Sequence, residues 1–212
     1  LLSMTLTQVL SDADRSEFLS FINQSSERLI YTIENIIEIS NLEIKDVKTD
    51  ITRFDIQNVF IEMYSKYNST IIAKGLDFVI RNMYEFAFFQ INSDRQIISK
   101  IYKHLLDNAI KFTSKGKIEI GASELDASWC LYVSDTGTGI SESIQQHVLK
   151  PFVQADMGLS RTHEGLGVGL TIVKGYVDLL GGELKIESGT GTGSKFSVYI
   201  PKSQSYIKSD YK

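Results

Sequence analysis

From Asp94 to Phe112, the residues Ile98, Ile101, Leu105, Ala109 and Phe112 recur at spacings of three and four. That is the period of an amphipathic helix, so the segment lays one stripe on a core and keeps another face for other work. Asp94 stands where an N-cap belongs. His104, Asn108 and Lys111 fall at i, i+4 and i+7 and share that second face. An amide oxygen and an ammonium on one face suit a magnesium triphosphate. Magnesium keeps most of its water and takes one or two protein oxygens beside phosphate oxygens, and lysine is a point charge for phosphate. For this helix alone, a solvated polar face explains the pattern equally well.

Two glycine-rich turns change the balance. The apolar, β-prone segment Trp129 to Val133 runs into Asp135-Thr-Gly-Thr-Gly-Ile140. Gly137 and Gly139 let the backbone bend sharply and let a ligand approach without a Cβ in the way. Asp135, at a strand end, can accept a hydrogen bond from an exocyclic amine. Gly165, Gly167 and Gly169 precede Leu170-Thr-Ile-Val-Lys174, which reads as a helix start. Backbone N–H groups at such an end form an anion site. One glycine triplet alone is usually an ordinary turn. A glycine pair and a glycine triplet after the polar helix face, in this order, point to a bound magnesium nucleotide.

These segments resemble the conserved boxes of the sensor histidine kinase ATP-binding domain, within the wider gyrase, heat-shock chaperone, histidine kinase and mismatch-repair ATPase family. His104 to Thr113 resembles the N box, and Asp135 to Ile140 the first glycine box. Lys150-Pro-Phe-Val-Gln154 resembles the phenylalanine box, Gly165 to Leu170 the second glycine box, and Gly189-Thr-Gly-Thr-Gly-Ser-Lys-Phe196 the last. The resemblance covers roughly residues 50 to 201. It implies that Asn108 ligates Mg2+, that Lys111 meets phosphate oxygens, and that Phe112 lies beside the adenine of ATP. Asp135 would accept from the adenine amino group, with Gly137 and Gly139 shaping the wall. Residues 153 to 166 would form a lid, with Arg161 as a partner for the terminal phosphate. Gly165, Gly167 and Gly169 would wrap the phosphates, and Ser194 would support the adenine pocket.

Two positions depart from the family pattern. The family usually has asparagine where this chain has His104, and relatives in the gyrase branch place a glutamate base near that point. A neutral imidazole can orient water or accept a proton. The plainer role, packing or hydrogen bonding beside the metal site, is favoured, since positioning and electrostatics dominate phosphoryl transfer. Thr138 stands where the family often has an apolar residue, and is read as neutral.

The phosphoacceptor histidine of the family has no match. The three histidines are His104 in the N box, His147 before the phenylalanine box and His163 in the lid, and none has the acceptor context, a following acidic residue near the start of a long helix. The reading is of an acceptor hairpin truncated in this chain. Ser11-Asp-Ala-Asp14 reads as a helix start, and no proline or glycine follows until well past Lys45. Phe18, Ile22, Leu29, Ile33, Ile36 and Ile37 make a stripe that expects a bundle partner. The segment resembles the second helix of a dimerisation and phosphotransfer hairpin, with Leu1 to Leu10 ending the first. A second copy of the chain is the expected partner.

Composition is compatible. Net charge is −4, which disfavours a general nucleic-acid partner. The single cysteine, Cys130, excludes an intrachain disulfide framework and reads as a small buried hydrophobe. No 18-residue apolar run occurs, so no membrane contact is expected of these residues. The expected place is a cytoplasmic portion, with any membrane anchor elsewhere in the intact protein.

The organisation expected is a partial helical hairpin over 1–46, a connector over 47–53, an ATP-binding domain over 54–201 and a frayed tail over 202–212. Within it, 11–45 and Asp55 to Ala73 read as helices and Leu76 to Ile80 as a strand after Gly75. Phe60, Met63, Tyr64 and Tyr67 line one side of the second helix. Leu42 to Arg53 reads as a polar connector, and Phe86 to Phe89 as a short buried strand. Residues 117–124 with 129–134, and Leu184 to Glu187 with Lys195 to Ile200, read as hairpins. The fold class is α/β: a two-layer α/β sandwich of the Bergerat type, with a mixed, mostly antiparallel sheet and a long dimerisation helix before it. The function implied is the ATP-binding catalytic portion of a two-component sensor histidine kinase. It would pass the γ-phosphoryl group to a histidine outside this chain, for relay to an aspartate on a response regulator receiver domain. By itself the chain would not autophosphorylate. Two alternatives stay open: a non-catalytic nucleotide-sensing or dimerisation module, and a gyrase-type ATPase.

Overall fold

The computed structural model describes residues 12–44, 47–81, 89–145, 147–150 and 167–202. Helix α1 spans Asp12–Glu43. Strand β1 (Thr52–Asp55) leads into α2 (Ile56–Ala73), whose cap Asp55 accepts from the Gln57 backbone N–H at 2.9 Å. Gly75, at φ 71°, turns the chain into β2 (Asp77–Ile80). β3 (Gln90–Ser93) precedes α3 (Arg95–Phe112). Asp94 caps α3 by accepting from the Gln96 and Ile97 N–H groups at 2.9 and 3.0 Å. There follow β4 (Lys117–Glu124), β5 (Ser128–Asp135), the short α4 (Glu142–Gln145), α5 (Gly169–Leu179), β6 (Glu183–Gly189) and β7 (Gly193–Pro201).

The main sheet has the order β2-β4-β5-β7-β6. β2 runs parallel to β4, and the other pairs are antiparallel. α2, α3 and α5 lie against it, which makes the two-layer α/β sandwich. One core joins the layers, with Phe60, Ile98, Tyr102, Leu105, Ile120, Val173, Tyr176 and Val198 fully or nearly fully buried. Each such side chain contributes about 1.5–3 kcal/mol of burial free energy. The Tyr102 hydroxyl, which burial pushes well above its usual pKa, donates to the Gly121 carbonyl at 2.8 Å.

The stripe of α3 packs as its period requires: Ile98, Ile101, Leu105 and Ala109 are buried, while Phe112 is half-buried. On α2, Phe60, Met63 and Tyr67 are buried, but Tyr64 is exposed and stacks on Phe78 at 5.6 Å. Cys130 is buried within β5. The end of the polar connector is a strand, because β1 pairs antiparallel with β3, Phe54 opposite Ile91. Phe86 to Phe88 lie outside the described residues. Phe89 precedes the strand and meets the Trp129 ring edge-on at 5.2 Å. Leu1 to Leu10 and most of the tail also lie outside them.

Helix α1 docks with a face other than its apolar stripe. Phe18, Ile22, Leu29, Ile33, Ile36 and Ile37 are exposed in the single chain. Asn35 is buried, Glu38 is half-buried, and Ile39 and Leu42 pack against the core. Gly175 of α5 permits the approach, since a Cβ there would lie 2.9 Å from Leu42 Cδ1.

Candidate functional site

Three chain segments converge beside the C-terminal half of α3. The first is the turn after β5. Register puts Asp135 opposite both Ile118 and Ser194, so the antiparallel ladder itself brings the carboxylate to the start of β7. Asp135 is buried and its Oδ1 accepts from the Gly137 N–H at 2.8 Å. Burial raises its pKa above the ordinary carboxylate range, although backbone hydrogen bonds from Gly137 and Ser194 pull the other way. The buried Thr113 hydroxyl lies beside it and also helps to lower that pKa, but among the described residues it has no partner at full hydrogen-bond geometry. An orphaned hydroxyl and a desolvated carboxylate form a donor-and-acceptor pair that an exocyclic amine and a ring nitrogen can satisfy.

The glycines around this pair are close-approach positions. A Cβ at Gly137 would lie 2.9 Å from Asp135 Oδ1, and would overlap the Phe112 carbonyl oxygen. Gly139 has φ 67°, and a Cβ there would overlap the Gly189 carbonyl oxygen. The turn is locked to the β6–β7 turn. The Gly191 N–H donates to the Thr138 carbonyl at 2.7 Å, and the Ile140 N–H to Ser188 Oγ at 2.8 Å. Ser194 Oγ meets Ser188 Oγ at 2.9 Å, so Ser194 braces the wall.

The second segment is the start of α5. Gly167 has φ 69°, and the N-cap Val168 supplies no side-chain hydrogen bond to the first turn. The cap residue's side chain therefore does not take the leading N–H groups of α5, and N–H groups at a helix start suit an anion. A Cβ at Gly169 would lie 3.7 and 3.8 Å from the Asn108 amide atoms and 3.9 Å from His104 Nδ1. The uncapped helix end, the Asn108 amide and the His104 ring therefore face one small space. Lys111 and Phe112 follow on the same helix, with the ammonium 4.9 Å from the ring centroid. Arg161 and Gly165 lie outside the described residues.

The third segment is α1, which sequence reasoning did not bring here. His104 is completely buried, and its Nε2 lies 2.9 Å from Glu38 Oε2. The same carboxylate accepts from the Tyr176 hydroxyl at 2.7 Å and pairs with Lys100 at 2.9 Å. Burial alone would raise the Glu38 pKa. The hydrogen bonds from His104, Lys100 and Tyr176 overcome it and hold the group at about 2. No spacing in the sequence announces a contact across 66 positions. Thr113 was not singled out from the sequence either, although it ends the N-box run.

Among the described residues, no group of three or more His, Cys, Asp or Glu could hold a metal ion. The Asn108 amide oxygen at the start of α5 could hold magnesium, which needs few protein ligands when phosphates supply the rest. No helix among the described residues is long and apolar enough to cross a membrane.

Comparison with known proteins gives the family. Residues 93–204 match the model described as histidine kinase-, DNA gyrase B- and HSP90-like ATPase, about half of the chain. The chain belongs to this ATPase family. The turn after β5, the start of α5 and the whole of α3 lie inside the matched range, and α1 lies outside it. A curated relative, the autoinducer 2 sensor kinase/phosphatase LuxQ of Vibrio vulnificus, is 31% identical over 206 residues, covering 94% of this chain and 24% of the relative. The chain thus spans about a quarter of that protein. The crystal structure of full-length ShkA with AMPPNP shares the fold at TM-score 0.76 and 21% identity, covering 92% of this chain and 40% of that one. Histidine kinase ThkA in complex with response regulator protein TrrA shares it at TM-score 0.71 and 22% identity, covering 96% and 56%.

Proposed function

We propose that this chain is the ATP-binding catalytic portion of a two-component sensor histidine kinase. It transfers the γ-phosphoryl group of ATP to an acceptor histidine outside this chain, for relay to a response-regulator aspartate. One observation carries the reading: the Asn108 amide and the uncapped start of α5 face one space, at the other end of α3's last turns from a buried carboxylate and an orphaned hydroxyl. A polyanion end and a base end, joined by one helix, are what a nucleotide triphosphate needs.

In this reading Asp135 and Thr113 recognise the adenine, with Phe112 beside it and Gly137, Gly139 and Ser194 forming the wall. Lys111, Gly167 and Gly169 meet phosphate oxygens, as do Gly165 and Arg161 from the lid. Asn108 would hold Mg2+, which when bound supplies neutralisation of charge at the phosphates. The chain's own work is electrostatic and positional: Lys111 and the α5 N–H groups offset developing negative charge, and the adenine end fixes the triphosphate in line. The γ-phosphorus to bridging-oxygen bond breaks, a phosphorus–nitrogen bond forms on the acceptor imidazole, and ADP leaves. Residues 1–46 act as part of a dimerisation hairpin, 47–53 as its connector, 54–201 as the ATP-binding domain and 202–212 as a tail. The exposed stripe of α1 makes the homodimer contact. ThkA's complex with a response regulator supports a receiver domain as partner.

The test supplies a histidine-bearing dimerisation domain in trans, with ATP labelled on the γ-phosphate. Acid-labile label on the acceptor, and none on this chain, is expected. Label on this chain's own histidines contradicts the assignment of the acceptor. Nucleotide binding without any transfer favours the non-catalytic module, which His104 in place of asparagine would suit.

A further inference from the structure

His104 has one ring nitrogen occupied and one not. Nε2 meets Glu38 from α1, while Nδ1 is buried with no hydrogen-bond partner among the described residues. A buried orphan of this kind is costly unless something completes it. Its direction is given by Gly169, whose added Cβ would meet both Nδ1 and the Asn108 amide within 4 Å. Nδ1 thus lies buried against the start of α5, on the side of the ring that Asn108 also borders.

We propose that Glu38 is a positioning residue for this end of the site: by holding His104 through Nε2 it aims Nδ1 at the incoming magnesium triphosphate, so that docking of α1 and occupancy of the nucleotide site favour each other. Glu38 as a carboxylate can only accept, so Nε2 carries the hydrogen and fixes the ring plane. In that tautomer Nδ1 can offer a lone pair. A water of the hydrated magnesium ion is the donor that fits, since magnesium keeps several of its waters. Glu38 is well placed for this role because the Tyr176 hydroxyl and Lys100 ammonium hold its other oxygen, at 2.7 and 2.9 Å. The carboxylate therefore reports whether α1 sits on α3 and α5. Coupling of this kind is reciprocal: what α1 lends to nucleotide affinity, the nucleotide returns to α1 docking.

This inference rests on the magnesium-nucleotide reading, and one experiment separates the two. Mg-ATP affinity of the whole chain is measured by calorimetry for wild type, Glu38→Gln, His104→Asn and the double variant. Glu38→Gln should weaken Mg-ATP about 5- to 10-fold, a usual size for coupling between sites. In the His104→Asn background the same change should cost less than about 2-fold, because the relay is already gone. Equal loss in both backgrounds, or no loss in the wild-type background, overturns the proposal and leaves nucleotide binding standing. Absence of Mg-ATP binding by wild type removes the nucleotide reading, and the relay falls with it. A second measurement needs no variant. Amide exchange over 31–43 should slow several-fold on adding Mg-ATP to wild type, and an unchanged rate overturns the reciprocal coupling.

Discussion

Gly139 and Gly191 sit in facing turns that are hydrogen-bonded to each other, and both have positive φ, 67° and 79°. They differ in their surroundings. A Cβ at Gly191 meets nothing within 4 Å, whereas one at Gly139 overlaps the Gly189 carbonyl oxygen and comes within 3.1 Å of the Gly193 carbonyl oxygen. Gly191→Ala therefore pays only the left-handed backbone cost, about 1–2 kcal/mol. Gly139→Ala pays that and must also push two backbone segments apart, which adds about 1–3 kcal/mol as in other overpacked sites. Urea denaturation of both variants reads the difference directly. Gly139→Ala should lower stability by about 2–5 kcal/mol and weaken ATP binding, because the displaced turn carries Asp135. Equal costs for the two alanines would refute the claim that close approach, and not φ alone, sets the residue at position 139.

Further outcomes follow from the charges. Asp135→Asn should weaken ATP binding at least ~10-fold, since an amide presents a donor where the base amine needs an acceptor. Because burial raises the Asp135 pKa in the fold, its ionisation opposes folding as pH rises through that value. Melting curves should then favour the variant more at pH 7 than at pH 4, and the opposite order would contradict it. Glu38 is the reverse case, lowered from 4.5 to about 2. Its stabilisation is present above pH 4.5 and lost as pH falls through about 2. The full shift is worth about 3 kcal/mol, which we reduce to about 1–2 kcal/mol for a side chain still partly open to solvent. Glu38→Gln should cost that amount at pH 7, with the gap closing towards pH 2. A gap that stays constant with pH would show that packing, not charge, holds α1.

The parts read correctly from sequence are those fixed locally. Asp94 capping α3 and the three-and-four spacing behind it are properties of neighbouring residues, and the helix follows them to within a residue. The hairpin β4–β5 follows from alternation and turn residues in the same way. The sharp turn after β5 was legible because glycines spaced by two at a strand end leave few alternatives. What escaped depends on distant pairing. β1 lies in a polar stretch and is a strand only because β3 lies beside it. The parallel setting of β2 on β4 has no local mark either. On α1 the strongest apolar stripe faces away from the catalytic layer, while a weaker face bearing Asn35, Glu38 and Leu42 docks on it. Amphipathic period names a buried face but not its partner, and so Glu38 gave no sign of reaching His104.

The central claim is that Asn108 and its neighbours hold a magnesium nucleotide. Titration calorimetry of ATP into this chain and into Asn108→Ala, each with and without magnesium, tests it most directly. Binding that depends on magnesium in the wild-type chain and largely loses that dependence in Asn108→Ala is the predicted result. No binding at millimolar ATP, or the same magnesium dependence in both proteins, would contradict it.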